Sequence, residues 1–291
     1  MRVLILGASG LIGHQLCLTL NSNFEVFGTL HGSKNSYGDH PLFAGPEFID
    51  EVDVQDFTAL TGIFKAINPD VILNCVGITK RKKEILNPID ALSVNALFPH
   101  KLAQWAEIHK KRIIHFSTDC VFDGREGNYT ETSLTTASDM YGRTKALGEI
   151  NYDHTLTIRS SFIGQELFQK SELLEWLLAQ EGKQIKGFAN TMYSGVSTIY
   201  LSRFIKKVIL EYPKLNGLYN LSPEVPISKF ELLSLAKEAY KLNIEIIRDD
   251  EHIHKPTLDS SKLRSILNPE IPSWKSMLQD LYSKKNMYLN I

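Results

Sequence analysis

A chain of 291 residues, 43% apolar and 22% charged, has the composition of an ordinary globular protein, and its length predicts two domains or one α/β domain with an appendage. Lysine plus arginine (32) nearly balances aspartate plus glutamate (33), which argues against nucleic-acid or membrane partners and favours a small molecule. Cys17, Cys75 and Cys120 are odd in number and far apart, so neither a disulfide framework nor a metal site is expected. Met1 leads straight into an apolar strand pattern with no cleavage site, and no apolar run reaches membrane-span length. The expectation is a cytoplasmic protein with reduced thiols, and a homodimer is left open.

Short β-branched runs over 2–6, 24–30, 71–76, 112–117 and 156–159 predict strands, alternating with helical patterns over 11–21, 57–67, 91–109 and 140–150. Apolar strands in β-α-β-α succession imply a parallel sheet covered on both faces, a doubly wound Rossmann-type α/β fold. After about residue 160 the rhythm breaks. Apolar helices are expected over 172–179 and 199–210, with proline-punctuated stretches around Pro213, Pro223, Pro226 and Pro256. The predicted division is an NAD(P)-binding domain over 1–160 and a mainly substrate-binding lobe over 161–291, with room for segments that return to the sheet. Ligands of open α/β sheets bind at the carboxyl ends of the strands, so the residues just after each strand are the candidates.

After the first strand stands Gly7-Ala8-Ser9-Gly10-Leu11-Ile12-Gly13. Glycines here permit a tight turn and close approach of a pyrophosphate to the first amides of a helix, which makes Gly7, Gly10, Leu11, Ile12 and Gly13 candidate cofactor contacts. Three spaced glycines often reflect packing alone; their place between an N-terminal strand and a helix favours a dinucleotide. An acid ending the second strand would bind the ribose of NAD, but Leu30 falls there, followed by His31, Ser33 and Lys34. That neutral-to-basic set suits a 2′-phosphate, so NADPH is the preferred cofactor and NADH the second choice. Asp53 and Val54 suit the adenine amino group and ring, while Asp56 is the plainer cap for a helix at Phe57.

Tyr141 and Lys145 are spaced to lie on one face of a helix. Among 11 tyrosines such a pair arises by chance, so its position decides its meaning. The strand over 112–117 ends at Ser117-Thr118-Asp119, within reach of that helix, so a hydroxyl, a phenol and an ammonium can converge. Hydride delivered to a ketone leaves an alkoxide that needs a proton, with Tyr141 as the acid and Thr118 hydrogen-bonded to the oxygen. Lowering the phenol by about 3 units from ~10 takes roughly 4 kcal/mol, part of which Lys145 would supply. The bland role for Thr118 is strand-end capping.

At these residues the chain resembles the extended short-chain dehydrogenase/reductases, and within them the dTDP-4-dehydrorhamnose reductase family with its relatives acting on UDP-linked N-acetyl deoxysugars. The resemblance runs through Gly7 to Gly13, Asp53-Val54, Asn74 to Gly77, Val94-Asn95-Ala96, Ser117 to Gly124, Tyr141 to Lys145 with Gly148-Glu149, and Pro256 to Leu263. It implies NAD(P)H-dependent reduction of the 4-keto group of a nucleotide-linked 6-deoxysugar in surface polysaccharide biosynthesis. It further implies that Val76, Gly77 and Ile78 line the cofactor and that Lys145 holds the nicotinamide ribose. Thr118, Asp119, Cys120, Phe162, Asn190 and Tyr193 fall on the sugar side, where the chain departs from the family pattern. Cys120 stands for a usual Tyr, Phe162 for a usual Trp, and 190–198 replaces a Gly-x-Pro-Thr signature. One alternative is an epimerase/reductase with Cys120 as base, its thiol ionised with help from Lys145 or Arg159. Another is a non-catalytic NADP(H)-binding regulatory protein, such as the regulatory subunit of methionine adenosyltransferase.

Other signals carry less. Lys80-Arg81-Lys82-Lys83 could bind a diphosphate but reads more simply as a solvated loop. His252 and His254, near Asp249 and Asp250, read as an exposed loop without metal-site spacing. Trp105, Trp176 and Trp274 fit amphipathic helical patterns and are expected in the core.

Overall fold

The computed structural model describes residues 1–38 and 40–288. At its centre lies β1 (Arg2–Leu6), whose residues Val3 to Leu6 are all fully buried, as a strand covered by helices on both faces requires. The chain continues through α1 (Gly13–Leu20), β2 (Glu25–Thr29), β3 (Phe48–Ile49), α2 (Phe57–Ile67), β4 (Val71–Asn74) and α3 (Pro88–Ala91). A π-helical stretch, Leu92–Leu97, leads into α4 (Phe98–Ile108), β5 (Arg112–Ser117), α5 (Met140–Leu147) and β6 (Thr155–Arg159). Beyond these come β7 (Phe162–Ile163), α6 (Leu173–Leu178), β8 (Gln184–Phe188), β9 (Met192–Tyr193), β10 (Val196–Ser197) and α7 (Thr198–Glu211). The last elements are β11 (Gly217–Asn220), β12 (Ile227–Ser228), α8 (Lys229–Tyr240), β13 (Glu245–Asp249), α9 (Ser261–Leu267) and α10 (Trp274–Ser283).

Seven strands pair in the order β11-β6-β5-β4-β1-β2-β3, all parallel, so the doubly wound Rossmann-type sheet is present. Alternate residues of β1 serve opposite layers. Val3 and Ile5 pack with Leu16, Phe204 and Leu278, while Leu4 and Leu6 pack with Phe64, Phe98 and Trp105. The strand order reverses between β1 and β4, which opens a crevice at their carboxyl ends, the usual ligand position of such sheets.

Several boundaries differ from the sequence pattern for local reasons. α1 begins at Gly13 rather than residue 11, because residues 10–12 are used in the turn. α5 stops at Leu147, where Gly148 passes so close to the Asn95 carbonyl that a Cβ would collide with it. Much of the later structure was not read from the sequence, including α8 with its Ser228/Glu231 capping box and the parallel β8–β13 pair. The capping box was a legible signal; the β8–β13 pairing joins segments far apart in the chain.

Candidate active site

The glycine loop bridges β1 and α1 at the crevice. Gly7 has φ +76°, a conformation that favours glycine, and its amide donates to Thr29 Oγ1 at 3.2 Å. A Cβ on Gly13 would collide with the Gly7 carbonyl oxygen, so packing demands glycine there. Gly10 is different: an added Cβ would meet nothing closer than 3.4 Å. Packing is therefore no reason for glycine at position 10, whereas close approach of a ligand is. The start of α1, next to Leu11 and Ile12, has no side-chain cap, so its amides suit a pyrophosphate.

Just beyond β2, where the adenosine is expected, Leu30 is fully buried and the sequence continues into His31, which is exposed. Lys34 is committed to its own loop, its amide bonding Asp50 Oδ2 (2.8 Å) and its ammonium the Gly45 carbonyl (2.9 Å). Asp53 Oδ1 accepts from the Gln55 amide (2.9 Å), and Asp56 caps α2 through the Ala59 amide (3.0 Å). Val54 is buried beside Leu4 and Leu6.

Val76, Gly77 and Ile78 leave β4 beside the glycine loop, with Val76 Cγ2 nearest to where a Gly7 side chain would be. Asn95, 1% exposed in the π-helical stretch, holds this loop at both polar atoms of Ile78. Its Oδ1 accepts the Ile78 amide (2.8 Å), and its Nδ2 donates to the Ile78 carbonyl (2.9 Å) and to Thr144 Oγ1 (3.2 Å). One side chain thus ties the β4 loop to α5, at the kind of π-helical irregularity that often marks a functional position.

Thr118 follows β5 and does cap the short turn Asp119–Val121, accepting the Cys120 amide at 3.1 Å and donating to Asp119 Oδ1 at 3.2 Å. α5 is seated directly on that turn, since a Cβ on Gly142 would collide with the Cys120 carbonyl. Tyr141, in the first turn of α5, is thereby brought to Thr118 and Cys120. Burial raises its phenol above the ordinary value of 10, with Cys120 and Asp119 adding and the Thr118 hydroxyl opposing. The expectation of a phenol depressed toward neutrality is not met. The phenol holds its proton, the form a proton donor needs.

Lys145 is 5% exposed, and its ammonium donates to the Phe116 carbonyl at the end of β5 (2.8 Å). Burial lowers it to about 8, while Glu149 and Cys75 act to raise it. Glu149 in turn accepts from Ser117 Oγ (2.6 Å) and from Arg159 Nε (2.8 Å) and Nη2 (2.6 Å). Arg159, held by that pair, is placed to serve Glu149 rather than to ionise a thiol. The Cys120 thiol is pushed up to about 12 by burial and by Asp119, with Lys80 opposing.

Among the residues expected to face the sugar, Phe162 meets Phe116 edge-on at 6.2 Å. Tyr193 is 8% exposed, and its hydroxyl has no hydrogen-bond partner among the described residues. Asn190 donates its side-chain Nδ2 to the Asp250 carbonyl (2.7 Å), and its backbone carbonyl accepts from the His254 amide (3.1 Å). The histidine segment is therefore not a free loop: the His254 ring lies against Gly124, leaving no room for a Cβ. Among the described residues, no cluster of histidine, cysteine and carboxylates could hold a metal. The basic run is largely exposed, as a solvated loop should be, and within it Lys80 Nζ bonds Asp139 Oδ2 (2.8 Å) and lies 5.9 Å from the centroid of the Tyr141 ring. Asn95 and Glu149 entered the sequence reading only as parts of matching motifs and Lys80 only as part of a basic run; their partners, distant in sequence, were not legible there.

A doubly wound parallel sheet, a glycine loop at its switch point and a hydroxyl, phenol and ammonium gathered around the end of β5 define an extended short-chain dehydrogenase/reductase. Within that class the chain belongs to the family described as RmlD substrate binding domain, whose model matches residues 1–287. The dTDP-4-dehydrorhamnose reductase of Aggregatibacter actinomycetemcomitans is 24% identical over a match covering 96% of this chain and 98% of that protein. Methionine adenosyltransferase 2 subunit beta of Xenopus tropicalis is 25% identical, covering 91% of this chain and 82% of that one. The crystal structure of dTDP-4-dehydrorhamnose reductase from Bacillus anthracis in complex with NADP superposes with a TM-score of 0.80, at 20% identity over 97% of this chain and 99% of that chain. Among the described residues, no helix is long and apolar enough to cross a membrane.

Proposed function

We propose that this protein reduces the 4-keto group of a nucleotide-linked 6-deoxysugar with NADPH, and that it works in the cytoplasm. The observation that carries the reading is the meeting of Thr118, Tyr141 and Lys145 beside an open glycine loop. When bound, the nicotinamide supplies hydride to the carbonyl carbon. Tyr141 gives its phenolic proton to the carbonyl oxygen, and Thr118 donates a hydrogen bond that strengthens as charge develops there. Lys145, anchored at Phe116, holds the nicotinamide ribose and steadies the phenolate left after proton transfer. Residues 1–160 carry the cofactor at Gly7, Gly10, Leu11, Ile12, Gly13 and Val76–Ile78. The later residues cover the sugar, with Tyr193 and Phe162 facing it beside Asp119 and Cys120.

Leu30 in place of an acid, with His31 beyond it, supports NADPH over NADH, as does the NADP bound to the Bacillus anthracis reductase. A regulatory role has support in the relative that is an adenosyltransferase subunit, but the intact Thr118, Tyr141 and Lys145 set favours catalysis. An epimerase step is disfavoured because Cys120 is held protonated. The exposed apolar face of Leu92, Leu97 and Leu147 supports a homodimer, to be checked by sedimentation. The function is tested by following loss of nicotinamide absorbance with a panel of 4-keto sugar nucleotides. Tyr141→Phe should cut turnover by about a hundred- to ten-thousand-fold while NADPH still binds. NADPH binding without turnover of any panel member by the wild type would favour the regulatory role instead.

A further inference from the structure

One carbonyl of the glycine loop is held twice by a single residue. The Gly10 carbonyl accepts the His14 amide (3.2 Å), the ordinary bond of a helix start, and also meets His14 Nδ1 at 2.8 Å. The second contact needs a proton on Nδ1, because a bare ring nitrogen facing a carbonyl oxygen would repel it. His14 is fully buried, and burial lowers its imidazole to about 4, with the Gly10 carbonyl opposing and His40 adding, so the ring is neutral and carries one proton. With that proton on Nδ1, Nε2 is left as an acceptor inside the core.

Tyr288 supplies the missing donor from 274 residues further along the chain. Its hydroxyl lies 3.1 Å from His14 Nε2 and 3.4 Å from Gln15 Oε1, and its ring meets the imidazole edge-on at 5.6 Å. The phenol is 5% exposed and is pushed up to about 12 by burial and by Glu175, so it keeps its proton. Given to Gln15, that one proton would leave Nε2 as the donor and turn a bare Nδ1 on the Gly10 carbonyl. Given to Nε2, the nearer acceptor, it satisfies both ring nitrogens. The direction of the Gly10 carbonyl matters to its neighbour. Across a trans peptide the carbonyl and the following amide point opposite ways, so a Gly10 carbonyl drawn back to α1 turns the Leu11 amide out of the helix start. Among the described residues that amide has no acceptor.

We propose that Tyr288 and His14 are positioning residues for the cofactor: the Tyr288 hydroxyl fixes the His14 tautomer, and His14 fixes the Gly10–Leu11 peptide so that the Leu11 amide meets the pyrophosphate. On the cofactor reading above, on which this rests, the turn Lys285–Tyr288 beyond α10 reaches back through the core to govern the first loop of the sheet.

The test combines histidine nitrogen NMR with NADPH titration of the full chain and of Tyr288→Phe, His14→Leu and the double variant. In wild type, the ring whose signals vanish in His14→Leu should carry its proton on Nδ1. Tyr288→Phe removes one hydroxyl and keeps the ring, so that proton should redistribute toward Nε2, while NADPH affinity falls about fivefold and kcat at saturating NADPH holds. In a His14→Leu background the same substitution should cost no further NADPH affinity, as two residues acting in series require. Unchanged NADPH affinity in Tyr288→Phe, with an effect on thermal unfolding alone, would mean that Tyr288 only packs against α1 and would overturn the proposal; an unmoved tautomer overturns it equally. So do equal losses with and without His14, because His14 would then not be the link. A wild type that binds neither NADPH nor NADH would instead overturn the cofactor reading, and the tautomer measurement, which needs no cofactor, tells the two failures apart.

Discussion

Glu149→Gln probes the support behind Lys145, the lysine proposed to hold the cofactor. Glu149 and Arg159 are 8% and 2% exposed at their side chains, and they meet through two short bonds, Nε to Oε1 at 2.8 Å and Nη2 to Oε2 at 2.6 Å. The remaining guanidinium contacts are long, 3.5 Å to the Thr130 carbonyl and 3.4 Å to Asn220 Oδ1, so they cannot replace the carboxylate. Glutamine keeps the shape but removes the charge and turns an NH2 toward donors. Leaving one partner of a buried pair uncompensated costs about 3–5 kcal/mol. At this chain length that lowers Tm by roughly 5–8 °C. A second effect follows at Lys145, which Glu149 acts to raise: its ammonium should lose its proton below the wild-type value of about 8. Thermal unfolding and NADPH binding against pH measure both effects. A loss under about 1 kcal/mol with an unmoved pH midpoint would refute the reasoning, because a truly buried pair cannot be broken so lightly. Replacing both residues by Met should recover much of the stability, since no lone charge then remains.

Gly10→Ala should fold normally yet lose NADPH affinity, since its Cβ meets nothing in the protein closer than 3.4 Å, whereas Gly13→Ala should lose stability as well. Equal melting points for the two variants would contradict the loop packing. Lys145 has a folded-state pKa of about 8 against an ordinary 10.5, so its ammonium is present below about 8 and lost above it. NADPH affinity should therefore fall as pH rises through 8, while the stability of the free protein rises from there toward 10.5. Lys145→Met should flatten both profiles, and an unchanged affinity profile would remove Lys145 from the cofactor site. Cys120, with its thiol near 12, should not act as a base, so product made in deuterated water should carry no solvent deuterium on carbon. Deuterium that disappears in Cys120→Ser would establish the epimerase step instead.

The β-α alternation, the glycine loop and the Tyr141–Lys145 pairing were legible in the sequence because period and turn chemistry depend on near neighbours. The Thr118 position followed from the same logic, as the first residue beyond a recognisable strand. Contacts across the fold decided the rest. Lys34 looked available for a phosphate until its ammonium was found on the Gly45 carbonyl, and Arg159 looked able to ionise Cys120 until Glu149 claimed it. Asn95 carried no local signal for a clamp that reaches Ile78 and Thr144 at once. Helical spacing also set an ammonium near a phenol and so suggested a depressed Tyr141. Only the packing of α5 onto the Cys120 turn showed that burial, with Cys120 and Asp119 beside it, governs the phenol, because the cost of burying a charge depends on everything surrounding it.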